Sequence, residues 1–513
     1  MKPFGQNNLP VFYIILIVFF FTNLLFLTDF PFVHSDETWL SGLSRNILEE
    51  KDLSVTETFF DLYPRHPHAI KLLFHLLQII FIKVMGYNIF SFRFISLLAG
   101  TINLCLFYKL AKYFTKSELL AGLFAIILGL DIQFIYASHF ARQEIILLLI
   151  FQSSLYYYFY KYKGKIRQDI ILALICSAGI GIHPNSFVIA LPLLLIYSYN
   201  LFVKKIKLKN CLAFVGTVFI IALFFLGLSL YFDPAFIQNY ASYGRTLGVF
   251  NSILSKLANL EYFYKKLFYG VSGTYYTPSV KFQFIIFFLG FVWSLLRLFF
   301  KKGKKNTHLL LILVGINLAY IIIGRYNQTS IIFIFPVAYL LISSMISSFR
   351  GRQSHIIALL LIMFLAFNTG TALLRDINPG YEDYLQEIGS VINKDERVLA
   401  NLNADYYFQN GKLFDYRNLA YLEENNLSFE EYIRLNQIEY IIYPEEMDFI
   451  YNSRPVWNIL YGNLFPYYQD MKEFLSKNCQ LVHEFTDRNY GMRISRYIGQ
   501  KEWKVKIYRV KAG

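Results

Sequence analysis

Apolar residues recur in runs of about 20 up to residue 373, and short polar segments separate the runs. A run of this length is typical of a helix that crosses the hydrocarbon core of a bilayer. The first run, 11–28, is long and lacks the small-residue cleavage site of a signal peptide, so we predict an uncleaved span. The segment 69–85 is also apolar but carries two lysines, a histidine and a glutamine, and it fits either an interfacial helix or a span.

The positions of lysine and arginine decide between these alternatives. If 69–85 lies in the interface, five basic clusters fall on one side of the membrane, which the positive-inside rule makes cytoplasmic. The clusters lie at 109–116, 161–167, 204–209, 301–305 and 350–352. The spans after the first are then 91–110, 119–135, 143–160, 170–185, 187–203, 211–231, 282–300, 308–324, 330–348 and 355–373. We therefore predict a multi-pass protein of the cell (plasma) membrane with about eleven spans, a cytoplasmic N-terminus and an extracytoplasmic C-terminus.

The predicted fold class is a polytopic α-helical membrane protein that ends in an extracytoplasmic α/β domain. Residues 1–373 form the membrane module, which includes a first outer loop at 31–90 and a second long outer loop at 232–281. From 374 to 513 the composition becomes polar, and this part has strand-like patterns and a helix opened by a Ser-x-x-Glu cap at Ser428. The strand-like patterns lie at 397–400, 438–443, 480–485 and 503–508. Strands that alternate with helical segments predict a small α/β domain.

Composition narrows the function classes. The net charge of +14 in 513 residues lies mostly in the five basic clusters between the predicted spans. This distribution indicates membrane topology rather than nucleic-acid binding. The four cysteines offer neither a disulfide framework nor a metal-thiolate spacing. The sequence has no glycine-rich phosphate loop, no metal-binding histidine pair at helical spacing and no nucleophile elbow. These observations argue against an ATP-driven pump and against a cytoplasmic nucleotide-sugar enzyme.

Two adjacent carboxylates, Asp36 and Glu37, follow the first span on the predicted outer side. A carboxylate beside the bilayer can act as a general base when an acceptor hydroxyl docks within hydrogen-bond reach. The alternative is a helix cap, in which Ser35 or Asp36 caps a helix whose first turn favours acidic side chains. The two roles can coexist.

Cationic and aromatic groups cluster later in the same loop. Arg65, His66 and His68 stand among prolines, and Lys71 follows one turn later. Several cations at a membrane surface suit a phosphate group. The alternative is a set of interfacial anchors for lipid headgroups.

Further polar residues stand at the outer ends of spans. Arg142 and Glu144 lie at the boundary of the fourth span, where a charge is costly unless it is paired or functional. They pair with each other or with Asp36, or they bind substrate. His183 and Arg325, with Tyr326 next to it, hold similar positions. Arg325 is placed to meet a lipid-linked phosphate, and a snorkelling arginine is the alternative.

The order of these motifs resembles the bacterial GT-C glycosyltransferases of the protein O-mannosyltransferase and aminoarabinose transferase superfamily (family 39-like). The resemblance covers roughly residues 10–350 and rests on Asp36-Glu37 and then on the segments 66–69, 92–100 and 141–144. It implies transfer of a sugar from a polyprenyl-phosphate donor to an acceptor on the outer face, usually with inversion at the anomeric carbon. Such proteins often end in a small outer α/β domain.

The resemblance also assigns roles to residues. It makes Asp36 the catalytic base, with Glu37 as its partner. The lipid-phosphate motif of Lys-Pro-Pro-Leu type is similar to residues 66–69, although histidine replaces the lysine and the second proline is absent; Arg65 is then a further candidate for the phosphate contact. Arg142 and Glu144, and then Arg325 and Tyr326, match two later positions of the family.

The sequence therefore predicts an inverting glycosyltransferase that uses a polyprenyl-phosphate sugar and a lipid, protein or glycan acceptor. The predicted enzyme requires no cofactor. The sequence leaves open whether a divalent cation (Mg or Mn) bridges the carboxylate and the phosphate. One alternative is a lipid-linked oligosaccharide flippase or transporter, whose polar groups would lie at the bilayer midplane on paired repeats. Another is a polysaccharide polymerase, which shares the topology and the lipid-linked substrate.

Overall fold

The protein is described by a computed structural model that covers residues 9–271, 274–300, 304–324, 327–349, 351–378, 380–490 and 502–511. Helices dominate its first 376 residues. They are α1 (Leu9–Leu24), α2 (Ser35–Glu50), α3 (Leu72–Met85), α4 (Ile89–Thr115), α5 (Glu118–Gly129), α6 (Ile132–His139), α7 (Glu144–Tyr160), α8 (Ile166–Ser177), α9 (Phe187–Phe202), α10 (Leu208–Phe232), α11 (Phe236–Thr246), α12 (Ile253–Tyr269), α13 (Lys281–Phe299), α14 (Lys304–Ile323), α15 (Ile334–Ile346) and α16 (Gly351–Asp376).

Seven helical stretches in the described ranges are long and apolar enough to cross a membrane, or eight when α5 and α6 count as one bent span. The chain is therefore a multi-pass membrane protein. Helices α1 and α7 are apolar but shorter, and α8 has 12 residues. Each predicted span contains a helix, and the count of about eleven spans stays a prediction.

The segment predicted as the span 119–135 is not one straight helix. Helices α5 and α6 meet at an angle of 65°. Asp131 lies between them and caps α6, since its Oδ1 accepts the Gln133 N–H at 2.9 Å. Its Oδ2 accepts hydrogen bonds from the Tyr339 hydroxyl at 2.6 Å and from Gln283 at 3.2 Å. A buried carboxylate with four donors replaces the missing helical hydrogen bonds at the break, and the sequence pattern did not reveal these distant donors.

The segment predicted as span 170–185 is also interrupted. Helix α8 ends at Ser177, and two short 3-10 turns, Ala178–Gly181 and Pro184–Ser186, lead into α9. His183 stands between the two turns, and its ring nitrogen Nδ1 accepts the N–H of Asn185 at 3.0 Å. The regular α-helix therefore ends at Ser177, and His183 lies in the connection between α8 and α9.

The first outer loop contains α2, and this helix carries Asp36 and Glu37 in its first turn, as the sequence analysis allowed. Helix α3 has 14 residues, or about 21 Å, which is short of the about 30 Å core of a bilayer and agrees with the interfacial alternative. The Ser44 hydroxyl of α2 donates to Gln78 of α3 at 2.6 Å and lies 2.8 Å from His75 Nδ1. Two of the four polar residues that made 69–85 ambiguous, His75 and Gln78, thus face α2.

The C-terminal part contains a five-stranded sheet in the order β2-β1-β3-β5-β4. The strands are β1 (Val398–Ala400), β2 (Leu413–Asp415), β3 (Tyr440–Pro444), β4 (Cys479–Asp487) and β5 (Trp503–Val510), and the helices are α17 (Tyr381–Gly389), α18 (Phe429–Leu435), α19 (Glu446–Ser453) and α20 (Phe465–Asn478). Strands β2, β1 and β3 are parallel, and β3, β5 and β4 are antiparallel.

Four of these strands and the capped helix α18 confirm the predicted elements. Strand β2 was missed because three residues are too few to show alternation. Helix α16 continues to Asp376, a little beyond the end that the sequence suggested for the membrane module.

The C-terminal sheet docks on the first outer loop through a buried ion pair. Arg45 of α2 donates two hydrogen bonds to Asp405, at 2.9 and 3.0 Å, and one to the Phe408 carbonyl at 2.8 Å. The Tyr87 hydroxyl donates to the same carboxylate at 2.5 Å, and its ring lies under the Arg45 guanidinium at 4.0 Å. Neither charge is exposed to water, so each depends on the other.

We predict that Asp405→Ala destabilises the protein by about 3–5 kcal/mol, because it leaves the Arg45 charge buried without its partner. Thermal unfolding of the full-length protein in detergent, followed by fluorescence-detected gel filtration, measures this change. The control is Arg434→Ala, which removes an exposed pair with Glu430 and should change stability by less than about 0.5 kcal/mol. Equal melting temperatures for the two variants would contradict the prediction.

Candidate active site

The start of α2 is capped by the residue before Ser35. His34 Nδ1 accepts the Asp36 N–H at 3.0 Å, and Glu37 in return accepts the His34 N–H at 2.9 Å. The alternative in which Ser35 or Asp36 caps the helix is therefore wrong. Because the histidine takes the capping position, the Asp36 side chain is available for contacts outside the helix.

Asp36 forms the centre of a three-residue polar cluster. Its Oδ2 accepts hydrogen bonds from Arg142 Nη1 at 2.6 Å and from the Tyr275 hydroxyl at 2.5 Å. Arg142 Nη1 also donates to the Tyr275 hydroxyl at 2.7 Å, so the three groups close a ring of contacts. The ring of Tyr275 stacks on that of His34 with centroids 4.4 Å apart. Asp36 keeps 24% of its side chain exposed, so this carboxylate is reachable from solvent.

This environment keeps Asp36 ionised. Burial raises the pKa of its carboxyl, but the charge of Arg142, the neighbouring His34 and the Tyr275 hydrogen bond outweigh burial and hold the pKa well below its usual value. Arg417, from the turn after β2, acts in the same direction. The C-terminal part of the chain therefore contributes a positive charge to the electrostatics of Asp36.

Glu37 has a different environment from its neighbour. It is fully buried and forms a two-point ion pair with Arg93 of α4, with both N–O distances at 2.9 Å. Its Oε1 also accepts the N–H of Ala141 at 3.0 Å. Arg93 Nη1 donates to three carbonyls at the end of the first helical segment, those of Leu27, Thr28 and Pro31. Glu37 thus joins α2, α4 and the turn before Arg142, and it is a positioning residue.

Arg65 is also paired within the protein. It donates from Nε and Nη2 to the two oxygens of Glu57, both at 2.9 Å, and its guanidinium lies 5.1 Å from the ring centre of Trp39. Burial raises the pKa of Glu57, but the charge of Arg65 outweighs it and brings the pKa down to about 2. The Trp39 N–H donates to the same carboxylate at 2.6 Å. Arg65 therefore stiffens the loop, and its charge is already balanced.

Lys71 differs from Arg65 and Arg142 because it has no carboxylate partner within the described ranges. Its ammonium forms no hydrogen bond or ion pair with any residue that the structure describes, yet it interacts electrostatically with Arg65, Glu57, Arg142 and Asp36. Burial, together with the charge of Arg65, lowers its pKa to about 8. Lys71 is therefore mostly protonated at neutral pH, and it is a cation without a carboxylate partner beside the Asp36 cluster.

The histidines do not supply further positive charge. Burial and the nearby charge of Lys71 lower the pKa of His68 to about 3 and hold that of His183 well below its usual range. Both rings are therefore neutral at pH 7 and can act as hydrogen-bond partners. His66 is 49% exposed, and its Nδ1 accepts a hydrogen bond from Asn239 at 3.1 Å. It faces the second outer loop rather than the Asp36 cluster.

The remaining predicted site residues lie close by or outside the described ranges. Glu144 pairs with Arg142 at 3.3 Å and accepts a hydrogen bond from the Thr329 hydroxyl at 2.6 Å. Arg142 therefore pairs with both Glu144 and Asp36, the two partners that the sequence analysis gave as the alternative to substrate binding. Arg325 and Tyr326 lie outside the described residues. Within the described ranges, no group of three or more His, Cys, Asp or Glu side chains is arranged to hold a metal ion.

Sequence reasoning missed two residues that organise the site. Tyr275 comes from the second outer loop, more than 200 positions after Asp36, and only the length of that loop pointed to function. Arg93 lies in the segment 92–100. That segment supported the family resemblance, but no role was assigned to Arg93 itself. A buried arginine at the outer end of a span is a signal for a partner, and it could have been used.

Comparison with known protein families places this site in context. Residues 65–229 match the sequence profile of the family described as dolichyl-phosphate-mannose-protein mannosyltransferase. That segment includes Arg65, Lys71, Arg142 and His183. No curated protein matches the sequence significantly.

Solved structures match almost the whole chain. The aminoarabinose transferase ArnT of Cupriavidus metallidurans, solved with undecaprenyl phosphate, aligns with a TM-score of 0.63 at 12% identity and covers 98% of both chains. The archaeal oligosaccharyltransferase AglB of Archaeoglobus fulgidus, solved with an inhibitory peptide and a dolichol-phosphate, aligns with a TM-score of 0.52 at 12% identity over 86% of this chain and 71% of AglB. At these identities the matches establish the fold.

We predict that Arg142→Gln raises the pKa of Asp36, because burial then acts against the charged form without its main opposing charge. Near the ordinary carboxyl pKa of about 3.9 the native Asp36 should stay ionised, and the variant should take up its proton at a higher pH than the native protein does. Infrared titration of the carboxylic-acid C=O band, assigned by its loss in Asp36→Asn, measures the change. Tyr275→Phe should give a smaller shift of the same sign, and an unchanged titration in Arg142→Gln would refute the ion pair.

Proposed function

We propose that this chain, which has the GT-C fold of the protein O-mannosyltransferase and aminoarabinose transferase superfamily, is an inverting glycosyltransferase that uses a polyprenyl-phosphate sugar. The observation that carries the proposal is an accessible, ionised carboxylate, Asp36, that forms an ion pair with Arg142 and lies near a second cation, Lys71, which has no carboxylate partner within the described ranges. Transfer of a sugar from a lipid phosphate needs a base for the acceptor and cations for the departing phosphate.

In the proposed step, the acceptor oxygen bonds to the anomeric carbon while the bond from that carbon to the phosphate oxygen breaks. The acceptor proton passes to Asp36, and the lipid phosphate leaves as an anion with the bonding electron pair. Both hydrogen bonds from Arg142 and Tyr275 end on Oδ2. We therefore assign Oδ1 as the atom that accepts the proton.

A carboxylate with a low pKa is a weak base. In our proposal, donor binding makes Asp36 more basic because the donor phosphate draws Arg142 away from it. The phosphate of the donor competes with Asp36 for the Arg142 guanidinium, since phosphate and carboxylate bind arginine in the same way. When Arg142 turns to the phosphate, the main charge that lowers the pKa of Asp36 is withdrawn. Donor binding is thus coupled to the basicity of Asp36.

The lipid part of the donor follows from the matched structures. ArnT is solved with undecaprenyl phosphate, and AglB with a dolichol-phosphate. We propose a polyprenyl phosphate carrier for this chain also, with its phosphate beside Lys71, Arg142, His68 and His183. The two neutral histidines then donate or accept hydrogen bonds, and Arg65 acts through the loop that it stiffens.

The proposed reaction takes place on the outer face of the membrane, with the C-terminal part of the chain on the same side. The positive-inside pattern of the loops supports this topology. On that face the proposed step uses Asp36 together with the groups that contact it, Arg142, Tyr275 and His34.

We predict that Asp36→Asn lowers transfer of radiolabelled sugar from polyprenyl-phosphate hexoses or pentoses at least about 100-fold, because general-base catalysis contributes typically 10²–10⁴-fold. The assay uses the purified full-length protein in lipid, with a panel of lipid, protein and glycan acceptors. Binding of unlabelled undecaprenyl phosphate by the variant shows that the site is folded. The same assay with EDTA, and then with added Mg²⁺ or Mn²⁺, measures whether a divalent cation takes part in the transfer.

Two outcomes would overturn this function. Full activity of Asp36→Asn would remove the base assignment. The absence of turnover with every donor and acceptor, together with movement of labelled lipid between the leaflets, would establish a transporter instead.

We predict that Lys71→Met weakens binding of undecaprenyl phosphate about 10- to 100-fold, because one charge-assisted hydrogen bond contributes about 1.5–3 kcal/mol. Native mass spectrometry or a competition assay in nanodiscs measures the affinity without any knowledge of the sugar. Lys83→Met, an exposed lysine later in α3, is the matched control and should leave the affinity unchanged. Equal affinities for the two variants would remove Lys71 from the phosphate site.

A further inference from the structure

A cavity that none of the Asp36 cluster residues lines lies beside α17. It measures about 520 Å³, within the range of about 300–1,000 Å³ that is usual for small-molecule sites. Helix α17 forms one wall, the start of α4 at Asn88 and Ile89 forms the floor, and the segment after β1 forms the opposite wall. The cavity therefore lies where the C-terminal part of the chain meets the helical module.

The α17 wall presents a row of polar side chains. Glu382, Gln386 and Ser390 follow one another at helical spacing, and Lys394 lies just beyond them. The side chains of Glu382 and Gln386 form no hydrogen bond with the described part of the chain. The row thus offers a carboxylate, an amide and an ammonium group to a ligand.

The opposite wall is aromatic. Tyr406 and Tyr407 line it, and Tyr381 stands at the base of α17. The hydroxyls of Tyr407 and Tyr381 donate to the backbone carbonyls of Ile392 and Asn403, so these two rings are held in place. Gly389 permits this arrangement, because an added Cβ would lie 2.9 Å from a ring carbon of Tyr407.

The aromatic wall is joined to the start of α2. The Ser41 hydroxyl lies 3.0 Å from the Tyr406 hydroxyl and 2.8 Å from the carbonyl oxygen of Glu37. Tyr87 lies 3.3 Å from the same hydroxyl. Tyr406 therefore joins the cavity wall to α2, the helix that carries Asp36.

We propose that this cavity binds a saccharide, as the glycan portion of the acceptor; the identity of the ligand class rests on the proposed function. A sugar ring has apolar C–H faces that pack on rigid aromatic rings, and its hydroxyls both donate and accept hydrogen bonds. A carboxylate, an amide and an ammonium group around one cavity satisfy both kinds of hydroxyl contact. A phosphate group would be repelled by Glu382, and an acyl chain would leave the polar row without partners.

Binding of the full-length protein in nanodiscs to an array of bacterial cell-surface glycans tests this proposal. The native protein should bind at least one glycan. Glu382→Ala/Gln386→Ala should weaken that binding tenfold or more, and Gly389→Ala should weaken it by displacing the Tyr407 ring. Asp383→Ala, an exposed acidic residue of the same helix that does not line the cavity, is the matched control and should bind as the native protein does.

The Asp36→Asn variant separates this site from the catalytic one. Glycan binding that persists in Asp36→Asn and is lost in Glu382→Ala/Gln386→Ala supports the second site even if no donor is turned over. Glycan binding that is lost in Asp36→Asn but unaffected by the cavity variants overturns it, and so does the absence of binding to every glycan on the array. A loss of transfer in Asp36→Asn alone concerns only the proposed reaction.

Discussion

The buried ion pair between Glu37 and Arg93 is the interaction on which the site depends. Two unit charges without access to water are stable only when both are satisfied by hydrogen bonds, and here they are. Glu37 accepts from Arg93, from the start of its own helix and from the turn before Arg142, while Arg93 also donates to three carbonyls after α1. Four segments that are distant in the sequence are thereby fixed relative to one another, and Asp36 is placed beside Arg142.

Adjacent carboxylates thus have opposite tasks. Glu37 points into the protein and loses its freedom to react, whereas Asp36 points out and keeps an exposed oxygen. The separation arises from helix geometry, because neighbouring residues on a helix differ in direction by about 100°. The His34 cap contributes as well, since it satisfies the helix N-terminus without the Asp36 carboxylate. A pair that looks redundant in the sequence is therefore divided into an accessible carboxylate and a buried support.

The C-terminal part of the chain is coupled to this site by charge and by packing. Arg417 lies 4.4 Å from the ring centre of Trp39 and acts on the ionisation of Asp36. Arg45 and Asp405 form the second buried ion pair of α2, two turns after Glu37. Helix α2 is therefore held at its start by the helical module and in its middle by the C-terminal sheet.

The sequence by itself determined the local features: apolar runs, basic loops, the α2 and α18 helices, four of the strands and the acidic pair at 36–37. Each depends on residues within a few positions of one another, so periodicity and composition are enough to detect it. Only the tertiary structure decided that His34 caps α2, that Asp131 breaks a span, that Tyr275 and Arg142 hold Asp36, and that Lys71 rather than Arg65 keeps an unbalanced charge. These outcomes depend on which distant side chains meet, and on the balance between burial and ion pairing at each charge, which no short stretch of sequence contains.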